Sequence, residues 1–484
     1  MRLLLVLSLV GQSLRLFSFA YLPPLVLSVV TLDWWSLLSF VVAGGITWCA
    51  GTLVSRNVVR PKHFLRSEAL GVVSGSYVAV CLSSSIPYLF AGLSLPDAMF
   101  ESMSGVTATG ATIFTHFDYS DPLFLWRALT QWMGGLGVIA LFVVVLPRLG
   151  IAGRQLFFAE ASSAPADAVS PQIRLVARKL WILYTTMTAL CATLLMANGM
   201  AWFDSICHAL TTLSAGGFSP HEASISGYAN PNVEWVLIGF MWLAGASYPL
   251  QLRVYTGEIF EFFRNGEFIF YTSVMVLSSL LLAILILPET EFSHDALRQA
   301  AFQVTSLGTS TGYASCNYDL WQDNAKAVLV SVMLIGGCVG SAAGGPKCMR
   351  YLLVLKHIAR DFKRLLHPRA VLPLLYNSKP ISNRVMGTVF TLVGLYLAGY
   401  LLLGVYIVIF ENTDLVTGFS SALSCLGNIG PGFNLVGPMA SFSELSSMTK
   451  LVLTAAMCIG RLEIVTVLAL LHPHVWTNLK LSRN

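Results

Sequence analysis

Apolar runs long enough to cross a membrane follow one another along most of the chain, and their order is a leading pair followed by one unit met four times. Residues 3–30, interrupted by Gln12, Arg15 and Pro23-Pro24, and residues 35–54 read as two leading spans. After them the order is span, short amphipathic segment, span. The spans pair as 68–92 with 123–147, 178–199 with 233–252, 268–287 with 326–355, and 385–410 with 448–471. A helix needs about 20 apolar residues to cross about 30 Å of hydrocarbon. The segments inside each pair are too short for that. They open at Asp97 (read as an N-cap after Pro96), at Asp204, after His294-Asp295, and after Asp414, acidic residues suited to a helix N-terminus. The pattern predicts an all-α polytopic membrane protein with ten full spans and four half-membrane helices, each of which descends, stops and lets the chain return extended. A cleaved leader is the rival reading of the start, since Arg2 precedes an apolar core, but the apolar character continues past any small-residue cleavage site.

Each short segment ends in a glycine-bearing polar stretch: Thr107-Ala108-Thr109-Gly110, Ser214-Ala215-Gly216-Gly217, Thr309-Ser310-Thr311-Gly312 and Gly427-Asn428-Ile429-Gly430. The final glycines are 107, 95 and 118 residues apart, the mark of a tandem repeat. Six residues before each glycine stands a hydroxyl: Ser104, Thr211, Ser306 and Ser424. Successive backbone carbonyls can replace the hydration shell of a cation if the chain is extended and turned inward. Glycine tolerates the dihedrals this requires. Four such loops around one axis would close a ring of carbonyls, to which Thr107 and Thr309 would add hydroxyls, with Asn428 in a structural role. Close helix packing through small residues is the alternative, but it requires neither the fixed hydroxyl offset nor the recurrence.

Composition narrows the class. Apolar residues make up 55% of the 484 and charged residues 11%, far below the share in a soluble chain. The nine cysteines show no metal-site spacing and read as small buried residues. There is no HExxH, no GxSxG and no cluster of intramembrane carboxylates, so an enzyme is not expected. Charge distribution sets the orientation. With the amino terminus inside, 24 of the 29 Lys and Arg fall on the cytoplasmic side, against Arg127, Arg298, Lys326 and Lys450 outside. Both termini are then cytoplasmic, and all four loops enter from an acidic outer face that would concentrate cations.

Two features lie beyond the loops. Residues 336–345 hold Gly336, Gly337, Gly340, Gly344 and Gly345, followed by Pro346, inside an otherwise apolar span. Glycine and proline cost a helix about 1 and about 3 kcal/mol each. Irregular backbone at membrane depth needs protein or a wet cavity beside it. The stretch reads as a gate under the loops, with a simple kink as the alternative. Arg461 is the only basic residue deep in a span. Such a residue is functional by default, and it is expected to face the pore or to bond the carbonyls of 336–345. His208, in the second short helix, is expected to pack or hydrogen-bond. The segment 347–384 carries nine basic residues against Asp361, which suits a cytosolic partner or anionic lipid.

The loops, with Trp126-Arg127-Ala128-Leu129-Thr130-Gln131-Trp132-Met133-Gly134-Gly135-Leu136-Gly137, the stretch Gly336–Gly345 and Gly460-Arg461-Leu462-Glu463, resemble the Trk/Ktr/HKT superfamily of potassium transporters over nearly the whole chain. The two leading spans point to its Trk branch. The resemblance implies a pseudo-fourfold pore, K+ as the transported ion, a homodimer in the lipid bilayer of a bacterial cytoplasmic membrane, and a cytosolic nucleotide-binding ring of the RCK/KTN (TrkA-like) type. No bound organic cofactor and no nucleic acid are expected, the nucleotide belonging to the partner. In the family, glycine at the position of Gly110 goes with preference for K+ and serine with permeability to Na+. The match departs at Pro431, which follows the fourth glycine and restricts Gly430. The expected division is 1–66 for the leading spans, 67–172, 173–264 and 265–380 for the first three repeats, with an intramembrane loop at 336–346, and 381–484 for the fourth. Na+- or H+-coupled symport within the superfamily is the rival function. A carrier with rocking halves is the more distant one, disfavoured because the repeats are parallel rather than inverted.

Overall fold

The computed structural model describes residues 2–56, 66–140, 169–255, 257–289, 293–377 and 379–473. The end of the expected span 123–147 and the residues Arg60, Lys62, Arg148, Arg154, Lys480 and Arg483 lie outside them. Among the described residues the chain is helical apart from loops and one two-stranded ribbon. The leading pair consists of α1 (Leu3–Phe17), continued by α2 (Leu22–Val30), and α3 (Trp34–Ser55). α1 and α3 cross closely because both present glycine. A Cβ on Gly11 would lie 2.9 Å from the Gly51 carbonyl, and one on Gly51 would lie 2.7 Å from the Arg15 nitrogen. Tyr21 stacks on Trp126 at 4.3 Å and donates its hydroxyl to the Ser83 carbonyl, which fixes the pair to the first repeat.

The first repeat contains α4 (Arg66–Ser84), α5 (Ile86–Phe90), the short α6 (Leu95–Val106) and α7 (Asp121–Ala140). The second contains α8 (Val169–Ala197), the short α9 (Trp202–Leu213), α10 (Pro231–Gly245) and α11 (Tyr248–Tyr255). The third contains α12 (Glu261–Arg264), α13 (Gly266–Ile286), the short α14 (Ser293–Gly308), α15 (Asp323–Ile335) and α16 (Cys348–Leu366). A ribbon of β1 (Leu375–Tyr376) and β2 (Lys379–Pro380) leads to the fourth repeat, with α17 (Asn383–Glu411), the short α18 (Leu415–Gly427), α19 (Ser447–Leu462) and α20 (Ile464–Leu471).

Short polar side chains start many of these helices by taking an orphan backbone N–H. Asp33, Ser94, Asn230, Asn265, Ser382, Asp414 and Ser446 all do so. Asp414 caps α18 as expected. Asp97 does not cap α6: Ser94 does, and Asp97 sits in the first turn, where its carboxylate accepts from the Ser94 hydroxyl at 2.6 Å. Asp204 and Asp295 likewise fall within first turns rather than before them. Two of the ten expected spans are corrected. Among the described residues six helices are long and apolar enough to cross a membrane unaided, and the expected span 233–252 makes a seventh only as α10 with α11, across a bend of 104°. The span 326–355 is split into α15 and α16, as its glycines predict. The span 448–471 breaks at Glu463, whose φ is 67°, a break that the apolar pattern on both sides conceals. Cys49 is exposed, whereas Cys81, Cys191, Cys207, Cys338, Cys348 and Cys425 are buried as expected.

Candidate ion pathway

Each short helix ends in the same way. The residue two before the glycine turns left-handed: Ala108, Ala215, Ser310 and Asn428 have φ of 50°, 54°, 57° and 51°. The N–H of the next residue then bonds back to the carbonyl of the recurring hydroxyl residue. These bonds are Thr109 to Ser104 at 2.8 Å, Gly216 to Thr211 at 2.9 Å, Thr311 to Ser306 at 2.8 Å and Ile429 to Ser424 at 2.9 Å. This cap satisfies a helix-end carbonyl and stops the helix abruptly. The glycines follow at positive φ of 87°, 73°, 87° and 112° for Gly110, Gly217, Gly312 and Gly430.

The glycines pack against one another's loops in cyclic order. A Cβ on Gly110 would lie 2.1 Å from the Gly216 carbonyl, one on Gly217 would lie 1.8 Å from that of Thr311, and one on Gly312 would lie 2.2 Å from that of Ile429. The circuit closes at Gly430, whose Cβ would lie 3.1 Å from the Thr109 carbonyl. Every quadrant thus places its glycine against the penultimate carbonyl of the next, so the four loops form one ring. The fourth contact is the loosest. Pro431, the departure seen in the sequence, keeps Gly430 in its turn and brings its Cδ to 2.9 Å from where a Gly312 Cβ would be, at the contact between the third and fourth loops.

The carbonyls are held in place from behind. Gln131 Nε2 donates to the Gly216 carbonyl at 2.7 Å, and its Oε1 accepts from the Phe218 N–H at 3.1 Å. The Ser424 hydroxyl donates to the Gly430 carbonyl, and that of Ser306 donates to Tyr313 at 2.7 Å. A carbonyl has two lone pairs, so one bond orients it and leaves the other free for a cation. Asn428 is structural, as expected: its amide donates to Thr109 Oγ1 and to the Met457 carbonyl, both at 2.9 Å. The Thr107 and Thr309 hydroxyls are engaged inside their own loops, with Thr109 Oγ1 at 2.7 Å and Thr311 Oγ1 at 2.8 Å. His208 lies behind the second loop and bonds the Asp204 carbonyl and Ser219 Oγ.

A cavity of about 930 Å³ lies over the ring, lined by all four glycines and by Glu222, Glu411, Asp414 and Glu444. Burial raises the Asp414 carboxyl, but bonds from the Thr417 and Asn434 side chains and the Thr417 N–H outweigh it and hold the group below the usual carboxylate range. It therefore stays charged at neutral pH. Arg127 also reaches this vestibule. Charge counting placed Arg127 on the outer side, and the acidic outer face includes Glu101. Both are buried, paired at 2.8 Å, with the guanidinium between Phe114 and Phe218.

On the other side of the ring lies the glycine stretch. Its backbone leaves helical geometry at Gly336 (φ 74°) and regains it after Lys347 (φ 76°). The freed groups are satisfied by neighbours, as burial demands. Cys338 N–H donates to Gly245 O at 2.9 Å, Ala342 N–H to Ala244 O at 3.2 Å, and Tyr248 N–H to Gly340 O at 3.0 Å. The bend between α10 and α11 is thus the counterpart of the break between α15 and α16: each exposes the backbone groups that the other needs. Glu267 accepts from Val339 N–H at 2.6 Å. The stretch reaches the ring itself, since Gly344 N–H donates to Ser310 Oγ and a Cβ on Gly344 would lie 2.2 Å from the Gly427 carbonyl. Arg461 is buried beside it and donates to the Ala342 carbonyl at 2.8 Å and to that of Gly134 at 3.4 Å. Arg127, Lys347 and Lys450 are buried as well. Glu463 pairs not with Arg461 but with Arg350, at the start of α16.

The structure thus brings the residues expected in the loops into one ring and sets the glycine stretch 336–345 and Arg461 beside it. The sequence quoted Gln131 without a role and missed the α10–α11 bend and Glu267. A glutamine in an apolar helix one turn from Arg127 was the available signal.

Residues 52–288 and 289–474 match the TrkH family, described as a cation transport protein. The chain is 32% identical over 488 residues to the Trk system potassium uptake protein TrkH of Halomonas elongata, an alignment covering 98% of this chain and 100% of that one. It is 32% identical over 484 residues to the protein of the same name from Vibrio parahaemolyticus, covering 97% and 99%. The crystal structure of the potassium transporter TrkH from Vibrio parahaemolyticus superposes with a TM-score of 0.89 at 30% identity, covering 98% of this chain and 100% of that one.

Proposed function

This chain belongs to the TrkH family of cation transport proteins, and on that premise we propose that it takes up K+ across a bacterial cytoplasmic membrane through a selectivity filter made of its four loops. It is a multi-pass membrane transport protein, not an enzyme. The observation that carries the reading is the closed circuit in which Gly110, Gly217, Gly312 and Gly430 each rest on a carbonyl of the next loop. The carbonyls of 107–110, 214–217, 309–312 and 427–430 replace the water around K+. The loops contain no carboxylate, so these dipoles carry the discrimination. The short helices end at the ring and turn their carboxyl ends, each worth about −0.5 charge, toward the ion below it. The acidic vestibule gathers cations at the entrance. The stretch 336–346 and Arg461 then form a gate. Flux of K+ into liposomes holding the purified protein tests the assignment. Passage of K+ in preference to Na+ supports it, and equal passage of both removes it.

The protein is further proposed to act as a homodimer with both termini in the cytoplasm, regulated by a nucleotide-binding cytosolic ring. Support comes from α16, which follows the gate directly and carries Lys356, Arg360, Lys363 and Arg364 beside exposed Phe362, Leu365 and Leu366. The ribbon that follows packs Leu374 and Tyr376 on Met349, Leu353, Met386 and Val389, so a pull on this region reaches α16 as a unit. Arg360→Glu, Lys363→Glu and Arg364→Glu together are expected to weaken co-purification of the partner while leaving membrane insertion intact. Full stoichiometry of the partner in that variant assigns the basic face to anionic lipid instead.

A further inference from the structure

The four seams between neighbouring repeats are each fastened by a charged side chain from the vestibule end of a repeat's second helix. In the second, third and fourth repeats it is the fourth residue of that helix: Glu234 of α10, Lys326 of α15 and Lys450 of α19. In the first repeat it is Arg127 of α7, about one turn further in. Arg127 donates to the Ser219 carbonyl of the second repeat at 3.1 Å while paired with Glu101. Glu234 pairs with Arg298 of the third repeat at 3.0 Å. Lys326 lies 3.6 Å from Asp319, whose other oxygen accepts from the Asn434 N–H of the fourth repeat at 2.8 Å. Lys450 pairs with Asp97 of the first repeat at 2.7 Å.

We propose that these contacts form a girdle that sets the circumference of the glycine ring, and that their members are positioning residues for ion discrimination although none belongs to the four loops. This rests on the filter reading above. Only the second seam reverses the sign, with Glu234 on the second helix where the other three carry Arg or Lys. One seam matters most. Three of the four join repeats that the chain itself connects, whereas the fourth joins the last repeat to the first, and Lys450 and Asp97 are 353 residues apart. Backbone connectivity cannot hold that seam shut. It is also where an added Cβ has the most room, 3.1 Å from the Thr109 carbonyl at Gly430 against 1.8–2.2 Å at the other three glycines. Alongside it lie the bond from Asn428 to Thr109 and one from Phe442 N–H to the Thr112 carbonyl at 2.9 Å. Loss of the Lys450–Asp97 pair frees this seam to open. A ring that widens there fits a hydrated or mispositioned ion less selectively, and the change appears in the permeability ratio rather than in folding.

The test is a double-mutant cycle on the full chain in proteoliposomes, with the K+/Na+ permeability ratio as readout and thermal melting as a control. Lys450→Met and Asp97→Asn are each expected to lower the ratio at least about threefold, and the double variant to fall no further than the worse single, because the two act through one contact. Lys450→Arg, which keeps the charge, is expected to stay near the parent ratio. If Lys450→Met does not assemble, Asp97→Asn reads the same contact from the other side. Single variants that fold and keep the parent ratio overturn the girdle, as does a double variant whose loss is the product of the two. Gly110→Ser in the same assay separates the two levels. If it lowers the ratio and the seam variants do not, the girdle alone is wrong. If Gly110→Ser also leaves the ratio unchanged, the filter reading is wrong.

Discussion

Gly110→Ser is expected to lower the K+/Na+ permeability ratio by about tenfold or more, a change of about 1.4 kcal/mol in relative barrier. Two costs converge on the site. Gly110 has φ of 87°, and an L side chain in left-handed backbone costs roughly 1–2 kcal/mol. The added Cβ would also meet the Gly216 carbonyl at 2.1 Å, so that carbonyl must move. It is held by Gln131, which means that the displacement breaks a buried bond as well. The same reasoning ranks the quadrants. Alanine at Gly217, Gly110 and Gly312 meets a neighbouring carbonyl at 1.8, 2.1 and 2.2 Å, but at Gly430 only at 3.1 Å. Selectivity should therefore fall at the first three and least at Gly430. Ratios measured on variants that melt near the parent temperature check this. An unchanged ratio for Gly110→Ser, or the greatest loss at Gly430, contradicts the ring.

Arg461→Ala is expected to raise resting K+ flux about ten- to a hundredfold, the range given by losing about 1.5–3 kcal/mol of hydrogen bonding to a charged group. Arg461 joins the glycine stretch proposed as the gate, through Ala342, to α7, through Gly134. If that bridge exists only when the stretch blocks the path, its loss shifts the population toward the open state by its full worth. The change also removes a positive charge from below the ring, which favours cation passage by itself. Arg461→Lys separates the two effects: it keeps the charge, but a single ammonium cannot span both carbonyls as the guanidinium fork does. Its flux should fall between parent and Arg461→Ala. Gly344→Ala is the companion from the other side, because its Cβ would press on the Gly427 carbonyl at 2.2 Å and push the stretch off the ring. Single-channel or liposome flux at fixed protein density reads both. A well-folded Arg461→Ala that conducts no faster than the parent places the gate elsewhere.

The sequence made the repeats legible because the stop at each short helix is local chemistry. A hydroxyl six residues before a glycine recurs at Thr107–Gly110 and in its three echoes, and the structure adds a left-handed residue two before each glycine. The break at 336–347 was legible for the same reason, as glycines and Pro346 cannot continue a helix. What stayed hidden depends on partners far along the chain. The bend between α10 and α11 has only Gly245 and Pro249 to mark it, and it is held by bonds to residues about 95 positions on, Cys338 and Ala342. The role of Gln131 depends on Gly216, and the burial of Arg127 and Glu101 depends on each other. Charge counting assigned those two to the outer side, but it could not see that they are buried against each other. The break at Glu463 falls between two apolar runs, and its partner Arg350 lies 113 residues away.

The reversal potential of the reconstituted protein under opposed K+, Na+ and H+ gradients tests the central claim most directly. A carbonyl ring without carboxylates predicts a potential that follows the K+ gradient and stays in place when the Na+ or H+ gradient is inverted. A potential that moves with Na+ or H+ contradicts it.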